Sequence, residues 1–146
     1  MASASSQPSS DSLIVVGFDG SEASGRGLDR AAQIAAAAGG SLIVVAVDVE
    51  LSSSGITSEP LIEDGETAAA LLEQASQRLA GHGSVAAEFV PGRGDPAVVL
   101  MDTARNENAG LIVVGRRGRS FEARMLLGSV AARIVEQSPC DVLVAV

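Results

Sequence analysis

Residues 111–130 read LIVVGRRGRSFEARMLLGSV. Four apolar residues, Leu111, Ile112, Val113 and Val114, stop at a glycine, and a helix-like, alanine-rich segment starts at Ser129. Strand, glycine loop and helix start, in that order, are how a backbone builds an anion cradle. Gly115 and Gly118 are expected to allow positive φ and to let a ligand approach the main chain. Gly128, Ser129 and Val130 fall where a new helix leaves its N–H groups unpaired and its dipole positive. Arg116, Arg117, Arg119 and Arg124 add positive charge around the loop, opposed there only by Glu122.

The same alternation runs through the chain. An apolar, β-branched run predicts a strand over 13–18, buried on both faces, followed by the turn Asp19-Gly20-Ser21. Ser21 is placed to cap a helix to residue 38, which Gly39 and Gly40 stop. A second strand is expected over 42–47, then a polar, serine-rich loop over 48–64. Leu71, Leu72, Ala75 and Leu79 give the period of a helix over 66–80. A weaker strand over 85–90, interrupted by Glu88, suits a sheet edge. Pro91-Gly92-Arg93-Gly94 reads as a turn, with Asp95 capping a helix to 106 and Pro96 at its first position. The strand over 111–114 precedes the glycine loop. A helix over 129–137 and a strand over 140–146 close the chain. Alternating strands and helices, with strands apolar throughout, define an α/β domain with a parallel sheet covered on both faces. In such sheets ligands lie at the carboxyl ends of strands, where strand order reverses. The first and fourth strands carry the two features that look functional, Gly17-Phe18-Asp19-Gly20 and the glycine loop.

Composition excludes several functions. At 146 residues the chain suits one domain, expected over 12–146 behind a disordered tail over 1–11. The tail has neither a basic region nor an apolar core, so a cytoplasmic location is expected. No apolar run approaches the ~20 residues of a membrane span. A net charge of −8 argues against nucleic-acid binding. All ten basic residues are arginine, and without lysine the GxxxxGK[ST] phosphate loop cannot be written. There is no Trp or Tyr to stack on a flavin. One His and one Cys cannot build a zinc site of that type. His82 reads as a surface histidine without a partner, Cys140 as inert core, and Arg93-Gly94-Asp95 as a turn and helix cap. The final apolar strand ends without a cover, and pairing with a second copy would protect its edge.

Gly115-x2-Gly118-x9-Gly128-Ser129 resembles the nucleotide-binding motif of the universal stress protein family. VVGFDGSEAS at 15–24 resembles that family's first strand and turn, residues 42–48 its second strand, and LLGSVAARIVEQSPCDVLVAV its terminal helix and strand. The likeness covers residues 13–146. It implies one five-stranded parallel sheet of order 3-2-1-4-5, adenine nucleotide α-hydrolase-like, and a homodimer, expected here through the strand over 140–146. It also implies ATP as ligand, with Mg²⁺. By that resemblance Asp19 would meet the nucleotide near its adenosine or metal end, Gly17 would leave room, and the Val47 backbone would meet the adenine. Gly115, Arg116, Arg117, Gly118, Gly128, Ser129 and Val130 would surround the phosphates, with Arg124 as the best-placed cation. The chain departs from the family where a Ser-His pair is frequent, here Arg116-Arg117, and where Cys-Pro is frequent, here Cys140-Asp141. The function expected is regulatory: a nucleotide-dependent stress-response protein acting on an unidentified protein partner. A slow ATP hydrolase, an ATP-using transferase and an interaction module without nucleotide are the alternatives.

Overall fold

A computed structural model describes residues 12–48, 67–118 and 127–146. The tail over 1–11, most of the loop over 48–64, and Arg119 and Arg124 lie outside the described residues. The elements follow as β1 (Leu13–Gly17), α1 (Glu22–Ala38), β2 (Ser41–Asp48), α2 (Ala68–Leu79), β3 (Ala86–Arg93), α3 (Pro96–Asn106), β4 (Leu111–Gly115), α4 (Ser129–Gln137) and β5 (Asp141–Ala145). The five strands form one sheet in the order β3-β2-β1-β4-β5, and every neighbouring pair is parallel.

Alternation along each strand divides the core into two layers. Val16, Leu42, Val44 and Val113 join Leu28, Ala31 and Ala35 of α1 and Leu71 and Ala75 of α2 on one face. Val15, Ile43, Val45, Ile112 and Val114 join Leu100, Met101 and Ala104 of α3 and Ala131 and Ile134 of α4 on the other. Small residues bring α1 close to the sheet: a Cβ on Gly27 would stand 3.2 Å from Val113. Ser21 caps α1 by accepting from the Ser24 N–H at 3.1 Å, and Gly39 ends it at φ 68°.

Several boundaries differ from the sequence expectation, most by one or two residues. The strand expected to stop at 90 continues to Arg93, with Pro91 opposite Ala46 and Gly92 opposite Val47. Its composition reads as a turn, but β3 is an edge strand, where proline is tolerated. Gly92 is there for packing, since a Cβ would lie 2.7 Å from Val99 of α3. Helix α2 begins at Ala68, because Thr67 accepts from the Ala70 N–H and caps it, and a 3-10 turn follows over Ala80–His82. The last strand is Asp141–Ala145, shorter at both ends than 140–146.

His82 is not without a partner. Its Nε2 lies 2.9 Å from Asp29 Oδ1 of α1. A carboxylate only accepts, so Nε2 carries the proton. Arg78 adds a two-pronged contact to the same carboxylate, Nε at 2.9 Å and Nη2 at 2.7 Å. Gly25 makes space for it, since a Cβ there would stand 2.5 Å from Arg78 Nη1. The Arg78 hydrogen bond, aided by His82 and opposed by burial, holds the Asp29 carboxyl below its ordinary value. A depressed folded-state value stabilises the fold above the ordinary carboxylate pKa of 3.8, and the benefit is lost as pH falls through the folded value. Asp29→Asn is therefore expected to cost on the order of 1 kcal/mol at pH 7, as a partly exposed pair. The deficit should shrink as pH falls below that range. Urea unfolding at pH 7 and at acid pH checks this.

Candidate functional site

Both functional stretches end at the same edge of the sheet. β1 and β4 are direct neighbours, with Val16 opposite Val113. Chain order reverses between them: β1 leads outward through β2 to β3, and β4 leads to β5. That is the switch point at which a crevice opens in such folds.

Asp19 is anchored by two residues, Ser21 and Ser24. The Ser21 N–H donates to Asp19 Oδ1 at 2.9 Å, an Asx turn. The Asp19 N–H donates to Ser24 Oγ at 3.3 Å, and that hydroxyl donates to the Ser21 carbonyl at 3.0 Å. Ser24 is the buried polar residue of this turn, and its role was not legible in the sequence. Gly20, at φ 83°, lets the chain turn between them. The other carboxylate oxygen, Oδ2, faces the glycine loop. A Cβ on Gly118 would stand 2.6 Å from it.

The two ends of the glycine loop meet. The Gly128 N–H donates to the Arg116 carbonyl at 2.8 Å. A Cβ on Gly128 would stand 3.3 Å from Arg117 Cα and 3.6 Å from the Gly118 N. Gly128 is the N-cap of α4 and brings no side chain to its exposed donors. Ser129 and Val130 are the first helical residues, whose N–H groups have no acceptor within the helix. Arg116 is half-buried, and its Nε is buried without a hydrogen-bond partner among the described residues. A buried cationic donor and amides with no acceptor in their own helix are the chemistry of an anion site.

Positive φ, one of the two reasons expected for the loop glycines, is not found. Neither Gly115 nor Gly118 has positive φ. Both are needed for close approach. A Cβ on Gly115 would stand 2.8 Å from the Ser24 N and 2.9 Å from the Ala23 carbonyl carbon, both main chain of α1. The room that Gly17 leaves is taken by Leu100, 2.8 Å from the Cβ position, and by Val114. Two loop amides are already used, since the Arg116 N–H donates to the Ala145 carbonyl at 2.6 Å and the Gly128 N–H is committed as above. Val47 is half-buried near the end of β2, opposite Gly92 of β3. The structure thus brings Asp19, Gly118, Arg116, Arg117, Gly128, Ser129 and Val130 to one edge of the sheet. Gly115 and Gly17 support this edge through packing, and Arg124 lies outside the described residues.

Beyond this edge, burial raises the Cys140 thiol above its ordinary value and outweighs the Ser138 hydroxyl beside it. Among the described residues no three His, Cys, Asp or Glu side chains gather as a metal site. Among them also, no helix is long and apolar enough to cross a membrane.

The family model described as "Universal stress protein family" matches residues 13–145. This chain belongs to the universal stress protein family. The universal stress protein Rv1636 of Mycobacterium tuberculosis is 34% identical over 137 residues, covering 90% of this chain and 93% of its own. A solved universal stress protein in complex with cAMP is 36% identical, with a TM-score of 0.72, over 92% of this chain and 96% of that one. The universal stress protein from Archaeoglobus fulgidus in complex with dAMP is 25% identical, with a TM-score of 0.68, over 92% and 97%. The sheet order 3-2-1-4-5 expected of a universal stress protein is the order found.

Proposed function

We propose that this universal stress protein binds an adenine nucleotide, ATP with Mg²⁺, between the ends of β1 and β4, and that occupancy is a regulatory signal. The observation that carries this reading is the meeting of Asp19, Gly118 and the uncapped start of α4 at one switch point. A side chain at Gly118 would displace the Asp19 carboxylate, and Gly128 offers α4 no side-chain cap. A phosphate would take the Ser129 and Val130 amides, with Arg116 and Arg117 as neighbouring cations and Arg124 as a further candidate. Asp19 would face the ribose or the phosphate-bound Mg²⁺, and the Val47 backbone the adenine. With no metal cluster among the described residues, Mg²⁺ would arrive with the triphosphate.

A second reading is a monophosphate or cyclic nucleotide. Two observations favour it: the solved relatives carry cAMP and dAMP by their descriptions, and the Arg116 and Gly128 amides are already spent within the protein. Calorimetric titration with ATP and Mg²⁺, AMP and cAMP ranks them. ATP with Mg²⁺ binding at least as tightly as AMP supports the triphosphate reading, and the reverse order supports the second. Absence of binding by all three leaves an interaction module.

Turnover is not expected. A hydrolase needs a base on the attacking water. His82 is held by Asp29 of α1 beside Arg78 of α2, and the Asp19 carboxylate is engaged in its own turn. Multiple turnovers of phosphate release would establish the hydrolase or transferase alternative. The reading also includes a cytoplasmic homodimer through residues 140–146. β5 is the outer strand of the sheet, its central residues are half-buried, and Val146 and Val135 are exposed nearby, at 65% and 51%. Sedimentation is expected to give a dimer that Val146→Arg weakens. A monomer at all concentrations for the unsubstituted chain would refute this part.

A further inference from the structure

Asp95 makes three hydrogen bonds with its two oxygens. Oδ1 accepts from the Ala97 N–H at 3.0 Å and the Val98 N–H at 3.5 Å, capping α3. Oδ2 takes Arg133 Nη1 of α4 at 2.5 Å. Arg133 stands one helical turn after Ser129, on the same side of α4. Because Gly128 offers no side-chain cap, the start of α4 is held by other means. These are the buried side chains of Ala131 and Ile134, the Gly128–Arg116 main-chain bond, and the Arg133–Asp95 pair. Asp95 is itself held in place. The preceding Gly94 N–H donates to the Asp48 carbonyl at 3.0 Å, and Asp48 Oδ1 accepts from the Ala68 N–H at 2.7 Å. A line of polar contacts therefore follows the carboxyl edge of the sheet, from the start of α2 through β2 and α3 to α4.

We propose that Asp95 is a positioning residue for the bound nucleotide: through Arg133 it sets the pitch of the first turn of α4, and so the aim of the Ser129 and Val130 amides at a phosphate. The inference rests on the nucleotide reading above. Asp95 touches no ligand in it, and Arg133 acts through its helix.

The experiment titrates the full chain with AMP and with adenosine. The variants are Asp95→Asn, Arg133→Gln, their combination, and Arg133→Lys. Asparagine caps a helix as well as aspartate does, so Asp95→Asn removes the charge pair and leaves α3 capped. Both side chains are about half exposed, 43% for Arg133 and 49% for Asp95. A pair of that kind is worth up to about 1 kcal/mol, which is about fivefold in affinity. Each single variant is expected to weaken AMP by roughly threefold to fivefold, the combination no further, and Arg133→Lys less than Arg133→Gln. Adenosine, lacking the phosphate, is expected to hold its wild-type affinity or its wild-type lack of measurable binding. Amide shifts of Ser129 and Val130 in the unliganded protein should move in the same direction in both single variants.

Adenosine and AMP weakening together would mark a merely structural pair and overturn the inference. So would AMP binding unchanged in both single variants, or weakened by Arg133→Gln alone, which would make Arg133 a direct phosphate contact. A wild type that binds none of AMP, cAMP and ATP with Mg²⁺ removes the nucleotide reading, and the inference falls with it.

Discussion

Gly118→Glu is expected to abolish nucleotide binding, by at least 100-fold in Kd, and to leave the fold intact. The position where a Cβ would begin is 2.6 Å from Asp19 Oδ2. Asp19 is the neighbour that must yield, and yielding takes it out of its place in the site, because its other oxygen holds the Ser21 N–H at 2.9 Å. A second carboxylate there would face Asp19 and any phosphate on α4. Like charges a few ångströms apart at a partly exposed site repel by several kcal/mol, and 100-fold corresponds to only about 2.7 kcal/mol. Gly118 is itself half-exposed at the mouth of the crevice, so the added chain has solvent to enter. Calorimetry with AMP or ATP gives the loss, and thermal unfolding without ligand gives the unchanged midpoint. Binding retained by Gly118→Glu would place the nucleotide elsewhere.

Gly115→Ala is expected to do the opposite in the unliganded protein. Its Cβ would meet the Ser24 N at 2.8 Å and the Ala23 carbonyl carbon at 2.9 Å. Those are main-chain atoms at the start of α1, and they move only if the helix moves. Overpacking of this kind costs roughly 1–3 kcal/mol. For a domain of this size about 2 kcal/mol lowers the melting midpoint by roughly 6–10 °C. The same displacement would disturb Ser24, which receives the Asp19 N–H, so binding should weaken as a consequence. Two glycines of one motif thus have separable roles: Gly115 seats α1 against β4, and Gly118 keeps the crevice open. Equal melting midpoints for Gly115→Ala and the unsubstituted protein would refute that division.

The architecture was legible because burial on both faces leaves a plain trace. The runs around Val15, Val44 and Val113 have no polar interruption, and each lies in a central strand. Helix starts were legible where a short polar residue precedes the apolar period, as at Ser21 and Asp95, and both residues do cap. The end of β3 was not legible. Pro91, Gly92 and Gly94 carry turn composition, and what keeps residues 91–93 in the sheet is pairing with β2 and the seat Gly92 offers to Val99.

The candidate site was legible as two stretches at strand ends, but not as a contact. That Asp19 Oδ2 lies against Gly118 follows from the β1–β4 register and the turn held by Ser24. Composition carries neither. Of the two reasons for glycine at 115 and 118, positive φ and the space a missing Cβ leaves, only the second operates, and sequence alone does not separate them. Long-range pairs were invisible for the same cause: Asp29 with His82 spans 53 positions and Asp95 with Arg133 spans 38. Arg93-Gly94-Asp95 supplies the end of β3, the turn at Gly94 and the helix cap at Asp95. The second oxygen of Asp95 belongs to α4, which only the packing of α3 beside α4 reveals.

The most direct measurement is a residue-resolved amide spectrum of the full chain, titrated to saturation with AMP and with ATP plus Mg²⁺. The account requires the largest shifts at Ser129, Val130, Gly118 and Asp19, and small ones along α2 and the outer edge of β3. Saturable binding that shifts α2 or β3 and leaves the start of α4 unmoved would contradict it.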